Sequence, residues 1–471
     1  MPKRERFGIR NSVTQAKNSF QHVVVEFPLA GVRVDGDESP FVGIRQLVFY
    51  PAVVIRFRTI GDGVKLFLGT HHLIFPKFNG RYPVILSDYL PVYLTQQIPT
   101  QTELIPTMPK IKSGIFIMPF HDPAKPLAQA YDEDMELVIR ADELGFDEFW
   151  IGEHHTMAFE NMPMPELFIA AAMRETSNIR MGPAPVCIQQ HHPVHVAGRL
   201  AMLDNLCKGR LDLCFGMGSV ATDLEILGIE RGDSPMMVAE AVEMVLALWA
   251  ADGPIELQGN YWNISMKDHI DDVVGLGVTH KPYQKPHPPI SMPITSMNSG
   301  TAKAAGRKGF QPFAHSLIAN NVVANIWDTY ETAAVEAGNE PDRSDFKIAR
   351  AVFLADSTKE AQKRARTNSV TGGFQYICDL MDRSGRDRGM FKRDQSTPDA
   401  DVDVDYWMRE QIIAGDPDYA MERILQMTEE TGKFGTLVMM GYDWDDKDAW
   451  VNSLELFANE LMPKVNVALT D

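Results

Sequence analysis

The chain has 471 residues, 45% of them apolar, and carries a formal net charge of −18. This length can bury one large or two ordinary cores, and the acidity excludes nucleic acid and anionic membrane surfaces as main partners. The longest apolar run, 241–251, contains Glu243 and is too short to span a bilayer, so no membrane segment is predicted.

The four cysteines indicate a reducing compartment. They are few for the chain length and form no Cys-x-x-Cys pair, which favours free thiols over disulfides or a metal site. The basic first residues are not followed by an apolar core with a small-residue cleavage site. We therefore predict a cytoplasmic protein without a bound metal.

Residues 1–107 differ in composition from the rest. They carry 12 Lys+Arg against 8 Asp+Glu, whereas residues 108–471 carry 33 against 55. Two interpretations stay open. The segment is either a small β-rich module or an extension outside the functional protein, because Met108 begins a second Met-Pro-Lys and directly precedes a strand. The candidate strands of this segment are 22–27, 47–57 and 82–86.

Strands and helices alternate regularly from Met108 onward. This alternation predicts a parallel sheet covered by helices, and eight such units predict a (β/α)8 TIM barrel, with an N-terminal extension before it. The predicted strands are 111–118, 148–151, 179–188, 211–215, 290–294, 311–313, 346–355 and 435–440. The predicted helices are 133–144, 165–174, 193–206, 234–251, 320–337, 360–366, 417–431 and 448–462.

Two further segments interrupt this alternation. Residues 255–264 predict a hairpin that turns at Gly259 and Asn260. Residues 368–415 lose clear periodicity and form an insertion late in the barrel. An insertion of this length is usually a lid, a binding loop or a disordered segment, and Tyr406, Trp407 and Met408 mark it as a candidate lid.

The tripeptide Glu153-His154-His155 follows the second barrel strand. Chemistry in a TIM barrel collects at the carboxyl ends of the strands, and imidazole exchanges its proton nearest neutral pH. These residues are therefore a candidate base or proton shuttle. A hydrogen-bonded structural histidine pair is the alternative, and zinc is less favoured because the pattern lacks the spacing of a helical zinc motif.

The sequence SMNSGTAKAAGRKG opens a helix after a late strand. Its backbone N–H groups and small polar side chains predict an anion site suited to a phosphate group. Ordinary helix capping, which Ser299 alone satisfies, is the alternative. The candidate phosphate-binding residues are Asn298, Ser299, Gly300 and Thr301.

Two more motifs are candidates for ligand contact. Ala184-Pro185 lies inside a strand that is otherwise central, and an X-Pro bond adopts the cis form at small cost, which makes room for a flat ligand. An edge or bulge proline is the alternative. The Gly216-Met217-Gly218 sequence lets backbone approach a ligand closely, although such a short glycine pattern is weak by itself.

Several ordered motifs together resemble one enzyme family. GFDEFWIGEHH, MGPAPVCIQQHHPVHVA, LDNLCKGRLDLCFGMGS and SMNSGTAKAAGRKG are similar to the bacterial luciferase-like flavin monooxygenases over residues 108–467. The pieces PHPPI, NSGTAK and FGTLVMMGYDWDDKDAW resemble the limonene monooxygenase-like and alkane or alkanal monooxygenase-like branch.

The resemblance implies a two-component system. A separate NAD(P)H:FMN reductase supplies reduced FMN, which forms a flavin hydroperoxide with O₂, and the barrel shields it from water. A small apolar substrate is then oxygenated, for example a terpene, an alkane, an alkanal or a halogenated aromatic compound. The resemblance also implies a homodimer formed by the helices that flank the second and third strands.

The resemblance also assigns roles to individual residues. His154 matches the catalytic histidine, Glu153 lies beside it near the flavin, and Ala184-Pro185 matches a cis peptide beside the isoalloxazine ring. Asn298 to Thr301 match the phosphate-binding turn. One departure is that Gly216 and Met217 stand where luciferase has a reactive cysteine and a phosphate-binding arginine, so Met217 narrows an apolar pocket and Gly218 follows it.

Two alternatives of other kinds stay open. A deazaflavin-dependent oxidoreductase of the same superfamily transfers hydride instead of oxygen. A flavin-binding protein without catalysis is the other alternative, although Glu153, His154 and the phosphate turn are intact.

Overall fold

The computed structural model describes residues 110–118, 120–218 and 220–469, together with the backbone of six strands between residues 21 and 93. The chain divides into two compact units, Met1–Pro106 and Thr107–Asp471. The two interpretations of the first unit, a small β-rich module and an extension outside the functional protein, both stay open. Its strands are β1 (Gln21–Val25), β2 (Val53–Ile60), β3 (Gly63–Leu68), β4 (His71–Pro76), β5 (Pro83–Ile85) and β6 (Pro91–Tyr93).

The strands of the first unit form two antiparallel sheets. Strands β1 to β4 pair in chain order as a four-stranded sheet, and β5 pairs with β6. Neighbours in sequence are thus neighbours in each sheet.

The second unit contains the predicted barrel. Each of the eight predicted strands is present with ends within two residues of the prediction. The strands of this unit are β7 (Lys112–Ile117), β8 (Glu148–Ile151), β9 (Arg180–Pro183), β10 (Val186–Cys187), β11 (Leu213–Gly216), β12 (Ile255–Gln258), β13 (Asn263–Met266), β14 (Ile290–Ile294), β15 (Gln311–Ala314), β16 (Lys347–Leu354), β17 (Ile412–Gly415) and β18 (Thr436–Gly441).

The barrel strands are parallel throughout and nearly close into a ring. Hydrogen-bonded neighbours follow the order β10-β11-β14-β15-β16-β18-β7-β8-β9. Strands β9 and β10 are two parts of the third predicted strand, interrupted at Ala184-Pro185, and a parallel bridge between Met181 and Leu211 links β9 to the start of the next strand. The TIM-barrel prediction is therefore confirmed.

Helices cover the outside of the barrel, as the alternation predicts. Most begin or end at a proline, a capping side chain or a left-handed glycine, as at Pro193, Asn368 and Gly338. Among the described residues no helix is both long and apolar enough to cross a membrane. The helices are α1 (Leu127–Glu143), α2 (Pro165–Glu175), α3 (Pro193–Cys207), α4 (Ala221–Ile226), α5 (Ser234–Ala250), α6 (Gly300–Lys308), α7 (Asn320–Ala337), α8 (Thr358–Ala365), α9 (Ser369–Arg383), α10 (Val404–Glu410), α11 (Pro417–Thr431), α12 (Lys447–Leu456) and α13 (Met462–Ala468).

The hairpin turn differs from its prediction. Strands β12 and β13 pair with Gln258 opposite Asn263, so four residues form the turn and Gly259-Asn260 is not a two-residue turn. The carboxylate of Glu240 on α5 accepts hydrogen bonds from the backbone N–H groups of Asn260, Tyr261 and Trp262. A side chain from a neighbouring helix thus satisfies the turn's donors, which sequence spacing does not reveal.

The segment 368–415 is ordered secondary structure, although its sequence has no clear periodicity. It contains α9, α10 and β17, and β17 pairs with residues 351–354 of β16. Tyr406, Trp407 and Met408 are buried, and the Trp407 ring packs 5.4 Å from the Phe374 ring. These three residues belong to the core of the segment because α10 carries its apolar face inward.

Candidate functional site

One large cavity lies at the carboxyl ends of the barrel strands. It has a volume of about 670 Å³, within the usual range for sites of small ligands. The barrel strands bring there residues that are far apart in sequence. The predicted site residues that line it are His154, Ala184, Pro185, Met217, Gly218, Gly300 and Thr301.

His154 is held between two carboxylates at the wall of this cavity. Its Nδ1 lies 3.2 Å from Asp223 Oδ2, and its Nε2 lies 3.1 Å from Glu160 Oε2. Asp223 also accepts hydrogen bonds from the backbone N–H groups of His155 and Thr156, which fixes the loop after β8. Both ring nitrogens therefore face acceptors, so the ring orientation is defined.

The two carboxylates change the expected proton chemistry of His154. Burial lowers the pKa of the imidazole, but hydrogen bonds and charge from Asp223 and Glu160 outweigh it and raise the pKa to about 10. The carboxyl pKa of Asp223 is held at about 2, against burial, by the hydrogen bonds with His154 and Thr156. This pKa argues against proton exchange near neutral pH, because an imidazolium between two carboxylates keeps its proton, and the base or proton-shuttle role of His154 stays a prediction.

Glu153 does not line the cavity, and its position near the flavin stays a prediction. Its Oε1 lies 2.6 Å from His191 Nε2 and 3.3 Å from His155 Nε2, and its Oε2 accepts the Cys187 N–H. Burial raises the Glu153 pKa, but these hydrogen bonds lower it to about 2. The carboxylate therefore joins β8 to β10 from behind the cavity wall.

Glu153, His155 and His191 also place one possible metal-ligand atom each within 4.8 Å of one another. Each of these atoms already takes part in the hydrogen bonds of the buried carboxylate. The cluster is fully accounted for as the polar support of the cavity wall.

The cavity floor beside the third strand is closely packed. The Ala184-Pro185 peptide bond is cis, as the resemblance implies. A Cβ atom added to Gly216 would lie 2.7 Å from Pro185 Cβ and 2.9 Å from Pro293 Cγ. Only glycine fits between these two prolines, so the backbone forms the cavity surface at this point.

The amino end of α6 agrees only in part with the predicted phosphate turn. Ser299 Oγ accepts the Thr301 N–H at 3.1 Å, which is the capping alternative, and neither Asn298 nor Ser299 lines the cavity. The Asn298 N–H instead donates to Asn325 Oδ1. Thr301, Ala304 and Lys308, spaced along one face of α6, do line the cavity, and Lys308 pairs with Glu243 of α5.

Helix α9 supplies another part of the wall. Ile377, Leu380 and Met381 lie on one face of the helix and line the cavity. The centre of the Tyr376 ring lies 5.1 Å from that of Phe120 and 4.7 Å from that of Phe159. These rings lie next to His154 and the two carboxylates that hold it. This helix, within the 368–415 segment, is the part that covers the site.

The structure adds residues that the sequence did not indicate. Glu160 and Asp223 hold His154, and Arg386 adds a cation to the cavity lining. His315, directly after β15, lines the cavity and accepts the Leu317 N–H at Nδ1. The carboxyl-end rule that selected His154 applies equally to His315, so that signal was available in the sequence.

His315 has a charge state opposite to that of His154. Burial, with a smaller contribution from the nearby charge of Arg350, lowers its pKa to about 4. The ring is therefore neutral at pH 7, and because Nδ1 accepts a hydrogen bond, Nε2 carries the proton.

The sequence and the fold of this chain match those of a known protein family. The family profile described as luciferase-like monooxygenase matches residues 111–433. The chain belongs to the luciferase-like monooxygenase family. The predicted family, barrel fold and flavin-dependent monooxygenase class are confirmed.

Individual members of the family resemble the chain over the whole barrel. Limonene 1,2-monooxygenase of Rhodococcus erythropolis is 31% identical, covering 76% of this chain and 87% of that protein. The oxygenase component of a flavin-dependent trigonelline monooxygenase of Acinetobacter baylyi is 26% identical, covering 73% and 92%.

A solved structure of the family contains the predicted cofactor. The oxygenating constituent of 3,6-diketocamphane monooxygenase from Pseudomonas putida, a type II Baeyer-Villiger monooxygenase in complex with FMN, superposes with a TM-score of 0.69. It is 29% identical and covers 76% of this chain and 99% of its own. The prediction of FMN as cofactor agrees with this monooxygenase.

Proposed function

We propose that the chain is the oxygenase component of a two-component FMN-dependent monooxygenase acting on a small cyclic apolar compound. The observation that carries the proposal is the single cavity in which a histidinium, an apolar wall and the helix face of Thr301 and Lys308 meet. Relatives named for limonene and diketocamphane oxygenation support a terpene-like substrate. This narrows the wider set of terpenes, alkanes, alkanals and halogenated aromatics.

The cavity residues fit FMN in three respects. The backbone at Gly216 gives a side-chain-free surface for a flat ring, because a Cβ there meets Pro185 and Pro293. The face of α6 with Thr301 and Lys308 offers a hydroxyl and a cation for the phosphate. Gly300 and Thr301 lie at the helix amino terminus, where an anion is favoured.

FMN, when bound in the reduced state, activates O₂ so that one oxygen atom can be transferred to an organic substrate. The contribution of His154 is then electrostatic. Its imidazolium, fixed by Asp223 and Glu160, stabilises negative charge that develops in the cavity and retains its own proton at neutral pH. A general-base role is disfavoured because both ring nitrogens already face carboxylates.

His315 is the candidate hydrogen-bond donor to the substrate. Its Nδ1 is occupied by the Leu317 N–H, so a neutral Nε2–H group remains for a carbonyl or hydroxyl oxygen. With a ketone substrate we expect His315→Leu to lower kcat by up to about tenfold, because a lost neutral hydrogen bond is worth roughly 0.5–1.5 kcal/mol. An unchanged kcat and KM with that ketone would remove His315 from the proposed site.

Apolar side chains complete the cavity and exclude water. Met217 from the loop after β11 and Met292 from β14 line it together with Ile377 and Leu380 of α9. Methionine adapts its shape to different apolar ligands. We propose that α9 is the movable cover, in place of the segment around Tyr406.

According to this proposal, the protein needs a separate source of reduced flavin. The oxygenase-component relative from Acinetobacter baylyi supports a separate reductase as partner. We propose that this partner is an NAD(P)H:FMN reductase, as the family resemblance implies.

We also propose a homodimer formed through α2 and α3. Leu167 on α2 is 73% exposed, and Met202 on α3 is 64% exposed, with Leu206 one turn further on. Apolar side chains that share exposed faces of adjacent helices are typical of interfaces. Met202→Glu should shift the sedimentation coefficient from that of a dimer to that of a monomer. Val335→Glu, at an exposed position of α7, should not. Monomeric wild-type protein would reject the dimer.

The decisive experiment supplies FMN and a general NADH-dependent flavin reductase under ¹⁸O₂. We expect oxygen uptake and one ¹⁸O atom in the product from limonene or a camphor-derived ketone. Deazaflavin-dependent hydride transfer without oxygen incorporation would instead favour the second enzyme class. Flavin binding without product from any terpene, alkane, alkanal or haloarene would favour a non-catalytic flavin protein.

A further inference from the structure

A second, polar cavity lies outside the barrel, separate from the site described above. It has a volume of about 310 Å³ and is bounded by the amino end of α7, the face of α11, the end of α10 and strand β17. Four arginines and two glutamates line it: Arg350, Arg393, Arg409, Arg423, Glu410 and Glu430. None of its lining residues lines the larger cavity.

Arg350 is the buried centre of this cavity. It lies in the middle of β16 and is only 2% exposed. Its guanidinium donates to the Ala349 carbonyl at 2.8 Å and to Asn320 Oδ1 at 2.7 Å, both of which are neutral acceptors. Within the described residues no carboxylate forms an ion pair with it. A buried charge without a counterion is unfavourable, so the site is incomplete as it stands.

The neighbouring carboxylates are already used by other arginines. Glu430 lies 3.0 Å from Arg393, and Glu410 lies 2.9 Å from Arg409. Among the described residues Arg423 donates to Tyr419 Oη and to the Arg409 carbonyl, and it forms no ion pair there. Two guanidinium groups, those of Arg350 and Arg423, therefore contribute net positive charge to the cavity.

A further group indicates what kind of anion fits. Gln411 is 1% exposed, its Nε2 donates to the Phe391 carbonyl, and its Oε1 has no hydrogen-bond partner. The lining thus combines guanidinium forks, which match oxyanions, with an acceptor that requires a donor from the ligand. An oxyanion that still carries a proton satisfies both.

We propose that this cavity binds a phosphate group, free or as part of a small phosphomonoester. The cavity is large enough for more than one phosphate-sized group, and its walls belong to α10, β17 and α11. Binding therefore joins the 389–415 segment to the outer face of the barrel.

The test is phosphate binding with saturating FMN present, so that the proposed flavin phosphate position is filled. We expect saturable binding of inorganic phosphate by calorimetry at constant ionic strength, with sulfate weaker because it carries no proton. Arg423→Gln should weaken phosphate at least about tenfold, as loss of a charge-assisted bond implies. Lys359→Gln, the same charge change at an exposed position of α8, should not alter it.

Arg409→Gln serves as the second variant if Arg423→Gln does not fold. Phosphate should also slow amide exchange within residues 404–430, and glycerol phosphate in place of phosphate distinguishes an ester ligand from the free ion. Equal affinity in Arg423→Gln and Lys359→Gln, or no saturable phosphate binding, would overturn the proposal. The affinity for FMN should be unchanged in Arg423→Gln, which separates this site from the flavin site.

Discussion

The two histidines that line the large cavity differ although both follow a barrel strand. His154 lies between two carboxylates, whereas His315 is near the charge of the buried Arg350 and forms no ion pair with a carboxylate among the described residues. The first has a pKa of about 10 and the second of about 4. Strand position brings a side chain to the site, and its neighbours then decide whether it is a cation or a neutral donor.

The largest expected effect is that of removing the cation. His154→Ala should lower kcat about 10²–10³-fold, as expected for loss of a preorganised charge. It also leaves Asp223 and Glu160 without their counterion, so the free energy of unfolding should fall by about 3–5 kcal/mol. Steady-state turnover and urea denaturation measure both effects.

His121 provides a matched control for that variant. Its ring lies 3.1 Å from Asp134 and 3.0 Å from Asp443, so it repeats the arrangement of His154, but it does not line the cavity. His121→Ala should lose stability and keep kcat near the wild-type value. Full turnover in His154→Ala, or an equal loss in both variants, would show that the cation has no catalytic part.

The second prediction moves the pKa of His154 and keeps the side chain. Removing one of the two raising charges in Asp223→Asn should bring the pKa down from about 10 toward 6.5. If the protonated ring is needed, kcat/KM of the variant falls as pH rises through the new pKa, whereas the wild-type profile shows no loss from His154 between pH 6 and 8. A base would give the opposite slope.

The pH dependence of the free energy of unfolding also reports the shifted pKa values, because each shift contributes to the stability of the folded protein. The folded-state pKa of His154 is raised above its unfolded value, so its contribution to stability is complete below about pH 6.5 and is lost as pH rises toward 10. The contribution of Asp223, whose folded-state pKa is lowered, is present above about pH 4 and is lost as pH falls toward 2. The stability of wild type should therefore be greatest between about pH 4 and pH 6.5 and should decline on both sides of that range.

Much of the site could be predicted because a barrel collects strand ends. The strand positions predicted from the sequence place four residues near one another, although no contact between them was known: His154, Ala184, Pro185 and Gly218. Gly216 also belongs there for a steric reason, although only the structure shows that two prolines leave no room for a Cβ.

What failed depended on contacts between distant segments. Asp223 reaches His154 across 69 positions, and no local pattern announces that pairing. The predicted hairpin is present, but the four-residue length of its turn was missed, because Glu240 satisfies the turn's donors from another helix. Burial of Tyr406 was missed because an apolar side chain in an irregular stretch suits a lid as well as a core.

The smallest expected effect concerns the neutral member of the pair. Arg350→Met should raise the pKa of His315 from about 4, because it removes a nearby positive charge, but the pKa should stay below 6.5 since burial is the larger cause. NMR of ¹⁵N-labelled histidine measures the shift, and His315→Gln identifies the resonance by its loss. A pKa that does not move would mean that burial alone keeps His315 neutral, and the contrast with His154 would then rest on carboxylates at one site and their absence at the other.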